Sequence, residues 1–320
     1  MSSIYRSLCA LVKSRFVRLR VLSKLALHSF SCLCFAVALF TIKICKTDSL
    51  SALWIRGFGG LFLSVWQIKS AGESVYPGSQ KLFMTVLRSL CLTTAICITF
   101  IGVKLISITV WAILNRFQMI TLYVASIFFM GIKFDKRVVY AAIISFFGAT
   151  LVMAPSLYGF EALPGKSFEL AWTATDILGV GLAMLWLLVD TTGFTIMTKI
   201  SGGVSTGQSN FLLNIFLCFA AGLMIVIRDG KFAVYWDEVH YYILFVSCYF
   251  LGASLQFESS KVEKNMGIQA VLTCFFLLGS LFLEVFFLDT KLTLPNLCGC
   301  ALVIGSSAWA VMLRSETTKN

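Results

Sequence analysis

From Leu272 to Phe287 the chain reads LTCFFLLGSLFLEVFF, an apolar run with one charge, Glu284, and almost no polar face. A surface helix of a soluble protein needs a polar side turned to water. Extended in both directions the run covers Met266–Leu288, and about 20 apolar residues is the length that crosses a hydrocarbon core. Nine other runs of the same kind accompany it: Leu25–Ile42, Leu50–Gln67, Leu82–Ile101, Leu105–Met130, Val138–Leu157, Ile177–Met197, Phe211–Ile227, Val239–Phe257 and Leu294–Leu313. Numbered in chain order they are spans 1 to 10, with Met266–Leu288 as span 9. Their continuity is unlike barrel strands, which alternate polar and apolar residues. Helices are then the remaining way to satisfy the backbone in lipid. The expected fold is an all-α polytopic membrane protein of ten transmembrane helices.

Composition supports this reading. The chain is 58% hydrophobic and 13% charged, with a mean hydropathy of +0.89; soluble domains sit near 45–50% apolar and about 25% charged. No length is left over for a soluble catalytic domain. The net charge of +11 does not point to nucleic acid, because the basic residues lie mainly between and beside the spans. Their densest cluster is the N-terminal tail, with Arg6, Lys13, Arg15, Arg18, Arg20 and Lys24, all ahead of the first acid, Asp48. Cytoplasmic ends carry excess Lys and Arg, so the N-terminus is expected inside. That orientation leaves sixteen basic residues on the cytoplasmic side against seven opposite, namely Lys43, Lys46, Lys104, Lys166, Arg228, Lys231 and Lys291. Without the tail the balance is ten to seven. An even number of spans returns the C-terminus to the cytoplasm. The same tail also has the Arg-rich, Ser-rich, acid-poor character of a mitochondrial targeting peptide. The eleven cysteines are odd in number, fall mostly inside apolar runs and follow no zinc or disulfide framework. Cys298 and Cys300, separated by one glycine, would be a metal or redox pair only with a His or an acid beside them, and none is there. Neither a cofactor nor a metal is expected.

The gap around Pro164-Gly165 divides the chain into halves of five spans. The division predicts a basic tail (residues 1–24), a first repeat (25–157), a loop (158–176), a second repeat (177–313) and a short C-terminal tail (314–320). Span 4 ends in Lys133-Phe134-Asp135-Lys136 and span 9 in Asp289-Thr290-Lys291, and glycines follow at similar distances, Gly148 and Gly305. Five spans per half force the halves into opposite orientations, the inverted-repeat arrangement of many secondary transporters.

Local phrases fit a known pattern. Leu53-Trp54-Ile55-Arg56-Gly57 carries an arginine in span 2, and Leu87-Arg88-Ser89-Leu90 opens span 3. Asp176-Ile177-Leu178-Gly179, followed by Met184-Leu185-Trp186, opens the second half, and Gln256 to Lys264 closes span 8. With these phrases the stretch from Leu25 to Leu313 resembles the drug/metabolite transporter superfamily, in its EamA-type form of two five-span repeats. The end of span 8 is similar to the branch related to nucleotide-sugar and other solute carriers. Spans 4 and 9 depart from that pattern: neither contains a proline, and Lys133 and Asp289 stand where glutamates are often found. The resemblance implies a secondary transporter working by alternating access.

A charge at the bilayer centre costs at least about 2.5 kcal/mol, so each intramembrane charge is a functional candidate. The set is Arg56, Arg88, Arg116, Asp190 and Glu284, with His28 as a neutral addition. Arg56 and Arg88 lie toward span ends and could snorkel to an interface. Arg116 lies too deep in span 4 for that. Trp111, Asn115 and Gln118 share one helical face beside it, and a guanidinium among amides and an aromatic ring suits carboxylate or phosphate. The alternative is a structural ion pair between Arg116 and Asp190 or Glu284. Glu284 in span 9 fits either proton coupling or neutralisation of an arginine, and Asp190 a structural role. Arg116, Asn115, Gln118, Trp111, Arg88 and Gln256 are thus the expected substrate contacts, with Glu284 and Asp190 for coupling or charge pairing. Asn210, Asn214 and Gln269 read as interhelical hydrogen-bonding groups.

Three intramembrane arginines against two acids favour a small organic anion as substrate. The expected partners are that substrate and the lipid bilayer, with room for a homodimer and none for nucleic acid. A non-transporting membrane scaffold is the alternative. An intramembrane enzyme fits less well, since His28 and His240 lie far apart and no nucleophile–base spacing is present.

Overall fold

The computed structural model describes residues 26–42, 44–105, 114, 116–158, 174–228, 231–262, 265–287 and 292–317, and among these every regular element is helical. In chain order they are α1 (Ala26–Ile42), α2 (Ser49–Ser70), α3 (Ser79–Leu105), α4 (Gln118–Met130), α5 (Lys136–Tyr158) and α6 (Ala174–Ile200), followed by α7 (Thr206–Arg228), α8 (Val239–Val262), α9 (Met266–Leu272), α10 (Phe275–Phe287) and α11 (Leu294–Thr317). A short 3-10 turn, Trp236–Glu238, precedes α8. Five stretches of helix are long and apolar enough to cross a membrane: Lys81–Thr99, Ile177–Ile200, Thr206–Arg228, Trp236–Lys261 and Met266–Phe287. The basic tail (1–24), Trp111, Asn115 and the Pro164-Gly165 loop lie outside the described residues.

Local chemistry sets the helix ends. The Asp48 carboxylate accepts from the N–H groups of Leu50 and Ser51 and so caps α2. Gly131, in the left-handed region at φ 65°, ends α4. Asn265 accepts from Gly267 N and starts α9.

Spans 4 and 9 are not the uninterrupted helices that their apolar runs suggest. Span 9 breaks at Thr273–Cys274, between α9 and α10, and span 4 turns at Phe117, just before α4. Phe117 has φ −61° and ψ −17°, and Thr273 has φ −62° and ψ −16°. Both values tighten the helix toward 3-10 geometry, with Phe117 N bonded to Leu114 O, and Cys274 N to Val271 O. No proline is involved. At the second break the Thr273 hydroxyl donates to Ala270 O at 2.6 Å, a side chain competing with the backbone for its carbonyl. After each break the chain resumes as a helix of 13 residues.

Helices pack in definite pairs: α2 on α7, α3 on α6, α5 on α11, and α4 on α9. α1 lies against α8, where the Ser31 hydroxyl donates to Gly252 O at 2.7 Å and Phe35 meets the edge of Tyr249. Small residues let the backbones approach. A Cβ on Gly57 of α2 would lie 2.8 Å from the backbone nitrogen of Cys218 on α7. A Cβ on Gly299 of α11 would lie 2.5 Å from the Gly148 carbonyl oxygen on α5. Gly148 and Gly305, matched in the sequence rhythm, therefore differ in role, since a Cβ on Gly305 would meet nothing within 4 Å. The amides bridge helices as expected. Asn210 donates to Ser254 Oγ at 2.9 Å, Asn214 to Ser64 Oγ at 3.2 Å, and Gln269 accepts from Ser260 Oγ at 3.3 Å.

The exterior is apolar. Phe62, Trp66, Phe83, Phe128, Phe219, Phe282 and Phe286 are each more than half exposed. Soluble monomers rarely carry so large an apolar surface, and with the long apolar helices it marks a membrane-embedded protein. One end of the bundle is tied by polar contacts. Arg228 Nη1 donates to Asp48 Oδ1 at 3.1 Å, and the Glu238 carboxylate accepts from Lys46 N at 2.7 Å, the Thr47 hydroxyl at 3.0 Å and the Tyr242 hydroxyl at 3.2 Å.

Two predictions follow from this packing and its polar tie. Gly299→Leu forces a side chain into the α5 backbone and should destabilise the protein by about 1–3 kcal/mol, whereas Gly181→Ala, with nothing within 4 Å of the new Cβ, should not; thermal unfolding of the purified protein distinguishes them. Burial resists ionisation of Asp48, but the Arg228 guanidinium, the Ser51 hydroxyl and the N–H groups of Leu50 and Ser51 outweigh it and hold its pKa at about 2, below the ordinary 3.8. The depressed pKa makes this contribution complete above about pH 4 and lost as the pH falls through about 2. Asp48→Asn should accordingly flatten the acid limb of the melting temperature against pH, and an unchanged slope would contradict the assignment.

Candidate functional site

The central parts of the helices line an open cavity of about 280 Å³. Its charged and amide lining comprises Arg56 from α2, Arg88 from α3, Arg116 and Gln118 at the span 4 break, Asp190 from α6 and Gln256 from α8. Thr273 and Phe276, at the break in span 9, line it as well. Both helix interruptions thus meet the cavity. The aromatic wall is Phe35, Trp186, Phe194, Tyr249 and Phe276.

Each arginine is held without an acid. Among the described residues no carboxylate lies within ion-pair distance of Arg56, Arg88 or Arg116. The Arg56 guanidinium lies 3.2 Å from the centre of the Tyr249 ring. Arg88 donates from Nη1 to the Ser209 hydroxyl at 2.5 Å and from Nη2 to the Met197 sulfur at 3.6 Å, and lies 5.3 Å from the Phe257 ring centre. Arg116 lines the cavity beside Gln118. The Nε atoms of Arg88 and Arg116 are buried and lack a hydrogen-bond partner. A cation over an aromatic face gains about 0.5–2 kcal/mol, yet neither a ring nor a hydroxyl cancels the positive charge. Three guanidiniums and a single carboxylate, Asp190, thus line one small space, and none of the three is ion-paired with it.

The acids divide. Asp190 is buried, lines the cavity and accepts from the Gln118 amide. Thr121 and Thr191 add a hydroxyl contact of 2.9 Å between the same two helices, α4 and α6. The alternative of an ion pair between Arg116 and Asp190 is thus not formed, and an amide–carboxylate contact stands in its place. Glu284 lies on α10 at intermediate exposure, outside the cavity lining. His28 is buried on α1 with Nδ1 3.0 Å from the Ser259 hydroxyl of α8.

Of the expected substrate contacts, the fold brings Arg88, Arg116, Gln118 and Gln256 to one cavity. Arg56, which by its position could snorkel, is 5% exposed and lines the same cavity. Tyr249 and Ser209 had no distinguishing signal in a chain that is 14% aromatic and rich in small polar residues. Only the cross-helix packing singles them out.

No family model and no curated protein matches this chain. Among solved structures 28 chains match. One of them, described only as the crystal structure of a protein, superposes with a TM-score of 0.73 at 14% identity, over 91% of this chain and 99% of its own. At that identity the likeness concerns the fold alone.

The Ser209 contact can be tested directly. Ser209→Ala removes a hydrogen bond to a buried cation, worth about 1.5–3 kcal/mol, and should lower the unfolding temperature, whereas Ser209→Thr should largely preserve it.

Proposed function

We propose that the chain is a multi-pass secondary transporter of the drug/metabolite type, with ten transmembrane helices in two inverted five-helix repeats, cytoplasmic termini and a small organic anion as cargo. The observation that carries this reading is the central cavity, lined by three arginines against one carboxylate, Asp190, with no ion pair to any of the arginines among the described residues. A scaffold has no use for unneutralised charge in a cavity. A carrier does, because the substrate supplies the missing anion.

The repeat reading draws support from the pairing of helices. Counted as spans, 2 packs on 7, 5 on 10 and 4 on 9, each the other's counterpart, while 3 on 6 is matched by 1 on 8. A two-fold relation between halves produces this pattern, and the two breaks with nearly identical backbone angles obey it. Substrate sites at interrupted helices between opposed repeats are a recurrent transporter arrangement. Alternating access would rock the two repeats about the cavity.

Counterflow in proteoliposomes against anionic, neutral and cationic metabolites tests the proposal. Accumulation of an anion that falls by at least about tenfold in Arg116→Ala, with the variant still folded, is the expected result. Normal transport of every substrate by that variant would remove Arg116 from the site. Absence of transport for the whole panel would favour the scaffold.

A further inference from the structure

Arg56 is buried, and among the described residues no carboxylate, carbonyl or hydroxyl accepts a hydrogen bond from it. A guanidinium carries five N–H donors in one plane. Tyr249 covers one face of that plane at 3.2 Å, which leaves the donors directed around the rim, and the rim borders the cavity. Unmet donors inside a protein are costly, and a ligand that satisfies them gains correspondingly.

The ring that holds Arg56 is itself held. Phe35 meets Tyr249 edge-on with centroids 4.8 Å apart, and Phe245 meets it at 6.0 Å. Phe35 is in turn fixed against α8, where a Cβ on Gly252 would lie 3.0 Å from its ring. The Arg56 plane is therefore set by a stack of rings drawn from α1 and α8, not by a flexible side-chain partner. An ion pair would orient the guanidinium equally well but would neutralise it and occupy the fork. A ring orients it and leaves both charge and donors available.

We propose that Arg56 is an anion-binding residue of the cavity and that Tyr249 is its positioning residue, the pair presenting a fixed bidentate fork to a planar or tetrahedral oxyanion, a carboxylate or a phosphoryl group. The inference rests on the anion-carrier reading, and it adds to that reading a second recognition point, supplied by α2 and α8. Small ligands are favoured, since a cavity of about 280 Å³ lies just below the usual range for ligand pockets, roughly 300–1,000 Å³. The aromatic wall suits a ring attached to the anionic group.

The test uses the full chain, purified, with benzoate, phenyl phosphate and benzylamine as probes and calorimetric titration as readout. One of the two anions should bind, and benzylamine should not; which anion binds distinguishes carboxylate from phosphoryl recognition. Arg56→Lys keeps the charge but loses the fork and should weaken binding about tenfold. Tyr249→Leu, with Arg56 intact, should weaken it by a similar factor, about tenfold, whereas Tyr249→Phe retains the ring face and should stay within about twofold. A merely structural Tyr249 would lower the yield of folded protein or its melting temperature while the affinity of the folded fraction stayed constant, and that result overturns the proposal. So does equal binding of benzylamine, or binding of neither anion. Counterflow separates this inference from the carrier reading. An anion carried normally by Arg56→Lys and Tyr249→Leu refutes the fork and leaves the carrier intact. An anion that binds through the fork but never crosses refutes the carrier and leaves the fork.

Discussion

Three guanidiniums share the interior of a bundle whose outside is apolar, with one carboxylate, Asp190, in the same cavity and no ion pair to any of them among the described residues. That constraint organises the rest of the site. Burying a cation is tolerable only when something replaces the lost water. Here the replacement is a tyrosine ring for Arg56 and a serine hydroxyl and a methionine sulfur for Arg88. All are neutral. They offset part of the desolvation cost and leave the charge in place.

The helix breaks belong to the same design. A continuous span 9 would have all its backbone groups paired within the helix, whereas the turn at Thr273–Cys274 brings Thr273 and Phe276 to the cavity wall. The turn at Phe117 does the same for Arg116 and Gln118 in span 4. Around this irregular centre the paired outer helices supply rigidity. The contact between Gly148 and Gly299 leaves no room for even a methyl group, so α5 and α11 are held at close range. Polar residues sit where they can be satisfied, as with Asn210 on Ser254 and Asn214 on Ser64.

Much of this was legible beforehand. The apolar runs predict the helices to within a few residues, because in lipid a long run without polar relief has no other way to satisfy its backbone. Arg116 stood out by depth, and Arg88, Gln118 and Gln256 were sensible companions. Other points stayed open for physical reasons. Arg56 and Arg88 were open to snorkelling because position along a helix says nothing about which way a side chain points. The Arg116–Asp190 pair was drawn from charge alone, and the structure gives Asp190 to Gln118 instead. The absence of proline from spans 4 and 9 hid their breaks, since a threonine hydroxyl or a 3-10 turn interrupts a helix without any such marker.

By itself the sequence determined the helical class, the number of apolar runs and the short inventory of charges within them, because hydrophobicity and charge are properties of single residues summed over a window. The tertiary structure alone decided which of those charges meet, and what holds each. Tyr249 and Arg56 are almost two hundred residues apart, and nothing local marks either as the other's partner. Their stacking exists only because α2 and α8 converge on one cavity, where an aromatic face covers the guanidinium.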